Sequence, residues 1–198
     1  AVLPRTTIIL DAGVFTGPGN RDVEIRNKIL TIVASDSAAG TVIDCQDSTR
    51  AFLVAEVPYC WIEGITIRNG FPASDTGYGS GAGVFVDDAT CVVTACTFET
   101  SSSSWGGGVF CEDGGTAYLD GCRFTGNSAA TGGAVAAHWD SDLAITGCTF
   151  VGNRATRGGA IYSQGDRLVI SGCEFHDNTC GSGDRGDGGA LCGVGVGQ

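Results

Sequence analysis

Among 198 residues there is no methionine, and Lys28 is the only lysine. Acidic residues outnumber basic ones, 22 against 11, and the net charge is −11. Such a surface repels nucleic acid and anionic membranes, so cations or neutral partners suit it better. No apolar run approaches the ~18 residues of a membrane-spanning helix. No signal-peptide pattern stands at the N-terminus. Nowhere does a 3.6-residue apolar period persist over ten residues, which argues against helices. The missing initiator methionine points to a processed chain or an excerpt. Histidine is scarce as well. His138 and His176 lack the spacing of a zinc site, and there is no C-x-x-C pair. No histidine is set beside a cysteine in a way that would make it a nucleophile.

What the chain has in abundance is glycine, 33 residues, and cysteine, 10 residues. They fall in a repeat. Phe98, Phe124, Phe150 and Phe175 follow one another at steps of 26, 26 and 25. Two residues before each stands Cys96, Cys122, Cys148 or Cys173, and three residues after the last three stands Asn127, Asn153 or Asn178. A glycine pair then opens a short apolar run: GGGVF, GGAVA, GGAIY, GGALC. A looser copy reads YCWIEGITIRNG followed by GAGVF. Each unit holds three short apolar runs divided by Gly, Asn, Asp or Ser, which reads as three strands. Such a unit cannot bury its apolar face alone, but a stack of them can. The expected fold is all-β: a right-handed parallel β-helix of about seven coils, each adding roughly 4.8 Å. Phenylalanine over phenylalanine then fills the core, and asparagine over asparagine forms an amide ladder.

These motifs carry a resemblance. FTGN with GGAV, FVGN with GGAI and FHDN with GGAL are similar to the paired F-x-x-N and GGA-(I/L/V) repeats of chlamydial polymorphic outer membrane proteins. Repeats of this kind occur in surface β-helices of the pectin-lyase-like superfamily. The resemblance covers residues 60–198, the regular coils, while residues 1–59 form irregular coils of the same single domain. TIILDAGVFTG looks like the first strand of such helices. No capping segment is evident at either end, and uncapped coils expose strand edges, so a segment of a longer protein is expected.

The cysteine slots raise a second expectation. Ten cysteines favour an oxidising compartment, extracellular or at the cell surface. Cys60 and Cys91 share one slot, and Cys96, Cys122, Cys148 and Cys173 share another. Stacked Cα atoms ~4.8 Å apart fall within the range a disulfide accepts. Cys180 and Cys192 flank a loop and are a further candidate pair. Buried thiols acting as small apolar groups are the alternative. Cys45 and Cys111 find no place in this scheme.

Three surfaces are candidates for function. After the third run come Asp87 and Asp88, Glu112 and Asp113, Asp140 and Asp142, then Asp166. Stacked as a ridge, they would suit calcium, although aspartate also simply favours turns. Strand alternation turns Trp61, Val92, Tyr118, Ala144 and Val169 outward, as a face for a partner domain or subunit. If Val84, Val109, Val135, Ile161 and Leu191 face inward, then Phe85, Phe110 and Tyr162 face outward and could stack on sugar rings; with the opposite parity they are core. Lyases and hydrolases among pectin-lyase-like relatives need a cluster of carboxylates or basic groups on one face. The column Thr66, Thr97, Arg123, Thr149, Glu174 offers only Arg123 and Glu174, two coils apart. Arg185-Gly186-Asp187 is too short a match to indicate an integrin-type ligand. The sequence therefore favours a noncatalytic structural or adhesive segment of a cell-surface or filament protein. A carbohydrate-active enzyme or carbohydrate-binding module is the alternative.

Overall fold

Runs of three to six β-branched and aromatic residues, cut by left-handed turns, leave the chain little choice but short strands. The computed structural model describes residues 5–73, 79–181 and 189–193. Every strand pairs in parallel with the equivalent strand one coil later. The first sheet runs through Arg5–Leu10, Ile29–Ala34, Cys60–Glu63, Thr90–Thr94, Thr116–Asp120, Asp142–Thr146 and Arg167–Ser171. The second contains Gly13–Phe15, Thr41–Asp44, Thr66–Arg68, Thr97–Glu99, Arg123–Thr125, Thr149–Val151 and Glu174–His176. The third contains Val23–Ile25, Phe52–Ala55, Val84–Asp87, Val109–Glu112, Val135–Ala137, Ile161–Ser163 and Leu191–Gly193. Three seven-stranded parallel sheets make a solenoid of seven coils. The only helix among the described residues is the 3-10 turn Pro18–Asn20. No helix among them is long and apolar enough to cross a membrane.

The later coils carry a fourth strand that the apolar pattern does not announce. Ser102–Trp105, Ser128–Thr131, Arg154–Arg157 and Thr179–Cys180 form a sheet between the second and third. SSSW, SAAT and RATR contain no apolar run, so these strands owe their place to backbone pairing with the coils around them. Between this sheet and the third the chain turns sharply at the glycine pair. At Gly132 φ is +64°, and a Cβ there would stand 2.3 Å from the Val135 carbonyl oxygen. A Cβ on Gly133 would stand 2.1 Å from the Gly159 oxygen one coil on. Only glycine fits both constraints.

One core fills the solenoid. Phe98, Phe124, Phe150 and Phe175 stack as parallel rings with centroids 4.9 Å apart. Val84, Val109, Val135 and Ile161 face this core. Asn127, Asn153 and Asn178 form a ladder at the corner after the second sheet, each side-chain amide passing a hydrogen bond to the next at 3.1 and 2.9 Å. Each amide also donates to the carbonyl of the phenylalanine one coil earlier, at 2.9–3.0 Å.

The cysteines turn out to be part of this core and not cross-links. Cys60 and Cys91 are in register, as their slot implies, yet Cys45, Cys60, Cys91, Cys96, Cys111, Cys122, Cys148, Cys173 and Cys180 are all free thiols. The reason is directional. In-register side chains on parallel strands run side by side, so their Cβ atoms keep the strand spacing of ~4.8 Å. A disulfide wants Cβ atoms ~3.5–4.5 Å apart. The expected bridges from Cys60 to Cys91 and between pairs of Cys96, Cys122, Cys148 and Cys173 are therefore corrected to thiols, and Cys180, a free thiol on the fourth sheet, is not bridged to Cys192 on the third. The thiols of the corner column have a task of their own. Cys96, Cys122, Cys148 and Cys173 donate to the carbonyls of Ile62, Val93, Leu119 and Ile145 one coil earlier, at 3.3–3.7 Å. Burial pushes Cys96 and Cys45 up to about 12, so neither is a thiolate at neutral pH. Cys111, buried in the third sheet beside Val86, is raised as well by desolvation. Alkylation in denaturant without reductant should label all six cysteines of the two stacked slots. Recovery of a peptide cross-linked between Cys60 and Cys91 would overturn this account.

Candidate functional site

The outward parity of the third sheet builds a site in a place the sequence marked only in part. Val84, Val109, Val135 and Ile161 point in, so Phe85, Phe110, Ala136 and Tyr162 point out. Their expected exposure is corrected, however. Phe85 is 1 % exposed, Phe110 2 % and Tyr162 1 %. The fourth sheet folds back against them at the glycine corner, and Trp105, Leu53 and Cys192 pack on this small second core. Sugar stacking on Phe85 and Tyr162 is closed off by that cover.

The cover is incomplete, and a groove remains. Trp105 lies 6.0 Å from Phe110 and 6.0 Å from Tyr162, centroid to centroid. His138 sits 4.6 Å from Trp105 and 3.9 Å from Trp139, and Trp139 is 63 % exposed. Trp105, Phe110, His138 and Trp139, with Glu112, Ser80, Ser104 and Gly79, line a cavity of about 360 Å³. The Arg157 guanidinium rests over both Trp105, at 5.7 Å, and Tyr162, at 5.2 Å, and donates to Thr131 at 3.0 Å. It braces the wall that the fourth sheet provides.

Glu112 and His138 of this lining belong to a polar column. Asp87 and Glu112 are in register, and the pairing of Cys111 with Ala137 and of Ala137 with Ser163 carries the column on to His138 and Gln164. Neighbours in it stand one strand spacing apart, roughly 4.8 Å. Burial pushes Glu112 up to about 7, with Asp113 and Asp87 adding to the rise and Arg50 opposing it. Asp87 is raised too, chiefly by burial and then by Asp113. Burial lowers His138 more than its hydrogen bond to Gln164 raises it, so its imidazole is neutral at pH 7. A carboxyl that holds its proton near neutrality, a second carboxylate beside it and a neutral imidazole are the parts of acid–base chemistry.

The other candidates fare differently. The seven acidic residues do not converge. Among the described residues no three His, Cys, Asp or Glu side chains are placed to hold a metal ion. Asp88, Asp113 and Asp140 occupy left-handed turn positions, with φ of 43°, 49° and 51°. Asp142 opens a first-sheet strand, in register with Thr116 and Arg167. Asp166 is exposed, its amide bonded to the Ser141 carbonyl. The calcium ridge thus gives way to separate turn and strand residues, of which Glu112 lines the groove, with Asp87 in register one coil before it. A shallow hollow of about 480 Å³ between Glu56, Pro58, Asp88 and Gly114 brings two carboxylates together without a ring or a third ligand. Trp61, Val92, Tyr118, Ala144 and Val169 do form one outward column, with Tyr118 47 % and Val169 38 % exposed. Thr66, Thr97, Arg123, Thr149 and Glu174 also align, with Thr149 between the two charges. Arg185-Gly186-Asp187 lies outside the described residues.

Trp105, Trp139 and Gln164 were not singled out from the sequence, and His138 was weighed only as a zinc ligand and set aside. The signal was available: Asp87, Glu112, His138 and Gln164 are spaced 25, 26 and 26 residues apart, the period of the coils. No curated protein and no solved structure matches the chain. A family model described as the right-handed β-helix region matches residues 19–191, most of its length, and the chain belongs to that family.

Proposed function

We propose that the chain binds an oligosaccharide in the groove between its third and fourth sheets, where the acid–base column is positioned to cleave a glycosidic bond. One observation carries this reading: Glu112, its carboxyl raised to about 7 by burial, sits in register with Asp87 and lines one cavity with the rings of Phe110, Trp105 and Trp139. Exposed indoles beside carboxyls are what a pyranose ring and its glycosidic oxygen require. Glu112 is the general acid to the leaving oxygen. Asp87 is the second carboxylate. His138 orients the substrate or water from its place beside Trp139. Trp139→Ala is expected to weaken oligosaccharide binding by about tenfold, the loss of one stacked ring. Titration calorimetry against a panel of hexasaccharides reads this directly. Unchanged binding in both Trp139→Ala and Trp105→Ala would remove the groove from consideration.

A second reading has its own support. Three unbroken ladders of seven strands make a stiff rod, and the outward column from Trp61 to Val169 offers a face for other domains or subunits. A noncatalytic structural or adhesive segment, extracellular or at the cell surface, is consistent with the repeat's likeness to polymorphic outer membrane proteins. Binding without turnover in the same panel favours an adhesive role, and binding with turnover favours the enzyme.

A further inference from the structure

The groove's charge points to the kind of glycan it takes. Resting on the glycan-groove reading, we infer that the ligand is an amine-bearing glycan, a glucosamine-type oligomer, and not a uronate or a neutral hexose chain. Among the described residues lining the cavity Glu112 is the one carboxyl, and there is no lysine or arginine. More negative charge lies next to it: Asp87 one coil before and Asp113 beside it in sequence, both felt by the Glu112 carboxyl. The two nearby guanidiniums are engaged elsewhere. Arg50 is 6 % exposed, 3.5 Å from Asp22 and over the Phe85 ring at 5.1 Å. Arg157 sits over Trp105 and Tyr162 and donates to Thr131.

Each class of sugar meets this surface differently. A uronate carboxylate would enter a partly desolvated site facing like charges, with no cation lining it, and that costs binding. A neutral sugar stacks on the indoles but leaves the carboxylates desolvated and without a counter-charge. An ammonium group supplies the counter-charge and is attracted to the indole faces as well. The overall charge of −11 draws the same ligand toward the protein.

Three hexamers separate the possibilities: glucosamine, N-acetylglucosamine and galacturonic acid, measured by calorimetry at low and moderate salt. The glucosamine hexamer is expected to bind at least tenfold more tightly than its acetylated counterpart, which differs in losing the charge. Salt and Glu112→Gln are each expected to shrink that preference. Equal or tighter binding of the acetylated hexamer, or tighter binding of the galacturonate, overturns the inference and leaves the groove reading standing. If Trp139→Ala then abolishes galacturonate binding, the site is a glycan groove of the opposite charge preference. If none of the three hexamers binds, both the inference and the groove reading fall.

Discussion

Glu112→Gln is expected to lower glycan turnover by about 10²- to 10⁴-fold, the usual contribution of a general acid, while leaving the protein more stable at pH 8. The two effects have one cause. Burial, with Asp113 and Asp87 in support, raises the Glu112 carboxyl to about 7 from an ordinary value of 4.5. The folded state therefore holds a proton more tightly than the unfolded chain between these values. For a carboxyl whose folded pKa is raised, stability is greatest below about 4.5 and declines as pH climbs towards about 7. Above that the carboxylate is fully charged inside its partly buried site. Glutamine keeps the shape and never charges, so the decline is removed. Catalysis runs on the same proton: an acid that must be protonated loses activity as pH rises through about 7. Thermal unfolding of both proteins from pH 4 to 9, beside a pH–rate profile, tests the linkage. If Glu112→Gln tracks the parent's stability at every pH, the carboxyl is not perturbed and the acid assignment fails with it. Asp87→Asn should lower turnover as well and also gain stability at pH 8, because burial and then Asp113 raise the Asp87 carboxyl too.

The fold was legible because each slot of the repeat holds the same kind of side chain. Phe98, Phe124, Phe150 and Phe175 could only stack, and the period of the stack fixed the sheets. The cysteines show the limit of that logic. A shared slot sets a Cα separation but says nothing of the direction in which two Cβ atoms point, and the parallel direction leaves Cys60 and Cys91 as hydrogen-bonded thiols without a bridge. The aromatic column was legible as one face of the third sheet. What covers it was not, since the covering strand reads SSSW and carries no apolar pattern. Trp105 and Phe110 are five residues apart, with three glycines between them, and the corner at those glycines turns one ring onto the other. The acidic ridge was misread for a related reason. Asp87 and Asp88 are adjacent in sequence, but one ends a strand in register with Glu112 while the other takes a left-handed turn.

The largest stability effect is expected at Asn153, which does not touch a ligand. Its side chain is fully buried and makes four hydrogen bonds. Oδ1 accepts from the Asn127 backbone N–H at 3.0 Å and from the Asn127 side-chain amide at 3.1 Å. Nδ2 donates to the Phe124 carbonyl at 3.0 Å and to Asn178 Oδ1 at 2.9 Å. Alanine leaves all four partners short of a bond where water has little access. Each buried orphan costs about 1–3 kcal/mol and the losses are not additive, so Asn153→Ala is expected to cost about 3–5 kcal/mol. Asn178 closes the ladder at a half-buried position, where solvent can replace what is lost, and Asn178→Ala should cost about 1–2 kcal/mol. Asn153→Asp adds a sign test. The carboxylate keeps the acceptor but faces the Phe124 carbonyl and Asn178 Oδ1 without a proton to donate, so the variant should be less stable at pH 7 than at pH 4. Urea midpoints for the three variants decide the matter, and equal losses at Asn153 and Asn178 would mean the ladder is not a cooperative network. The ladder stands at the corner where the fourth sheet begins, with Arg154 donating its amide to the Asn127 carbonyl. The strand that carries Arg157 to its place over Trp105 starts from that corner. Weakening the ladder should therefore loosen the wall of the groove before the solenoid itself unfolds.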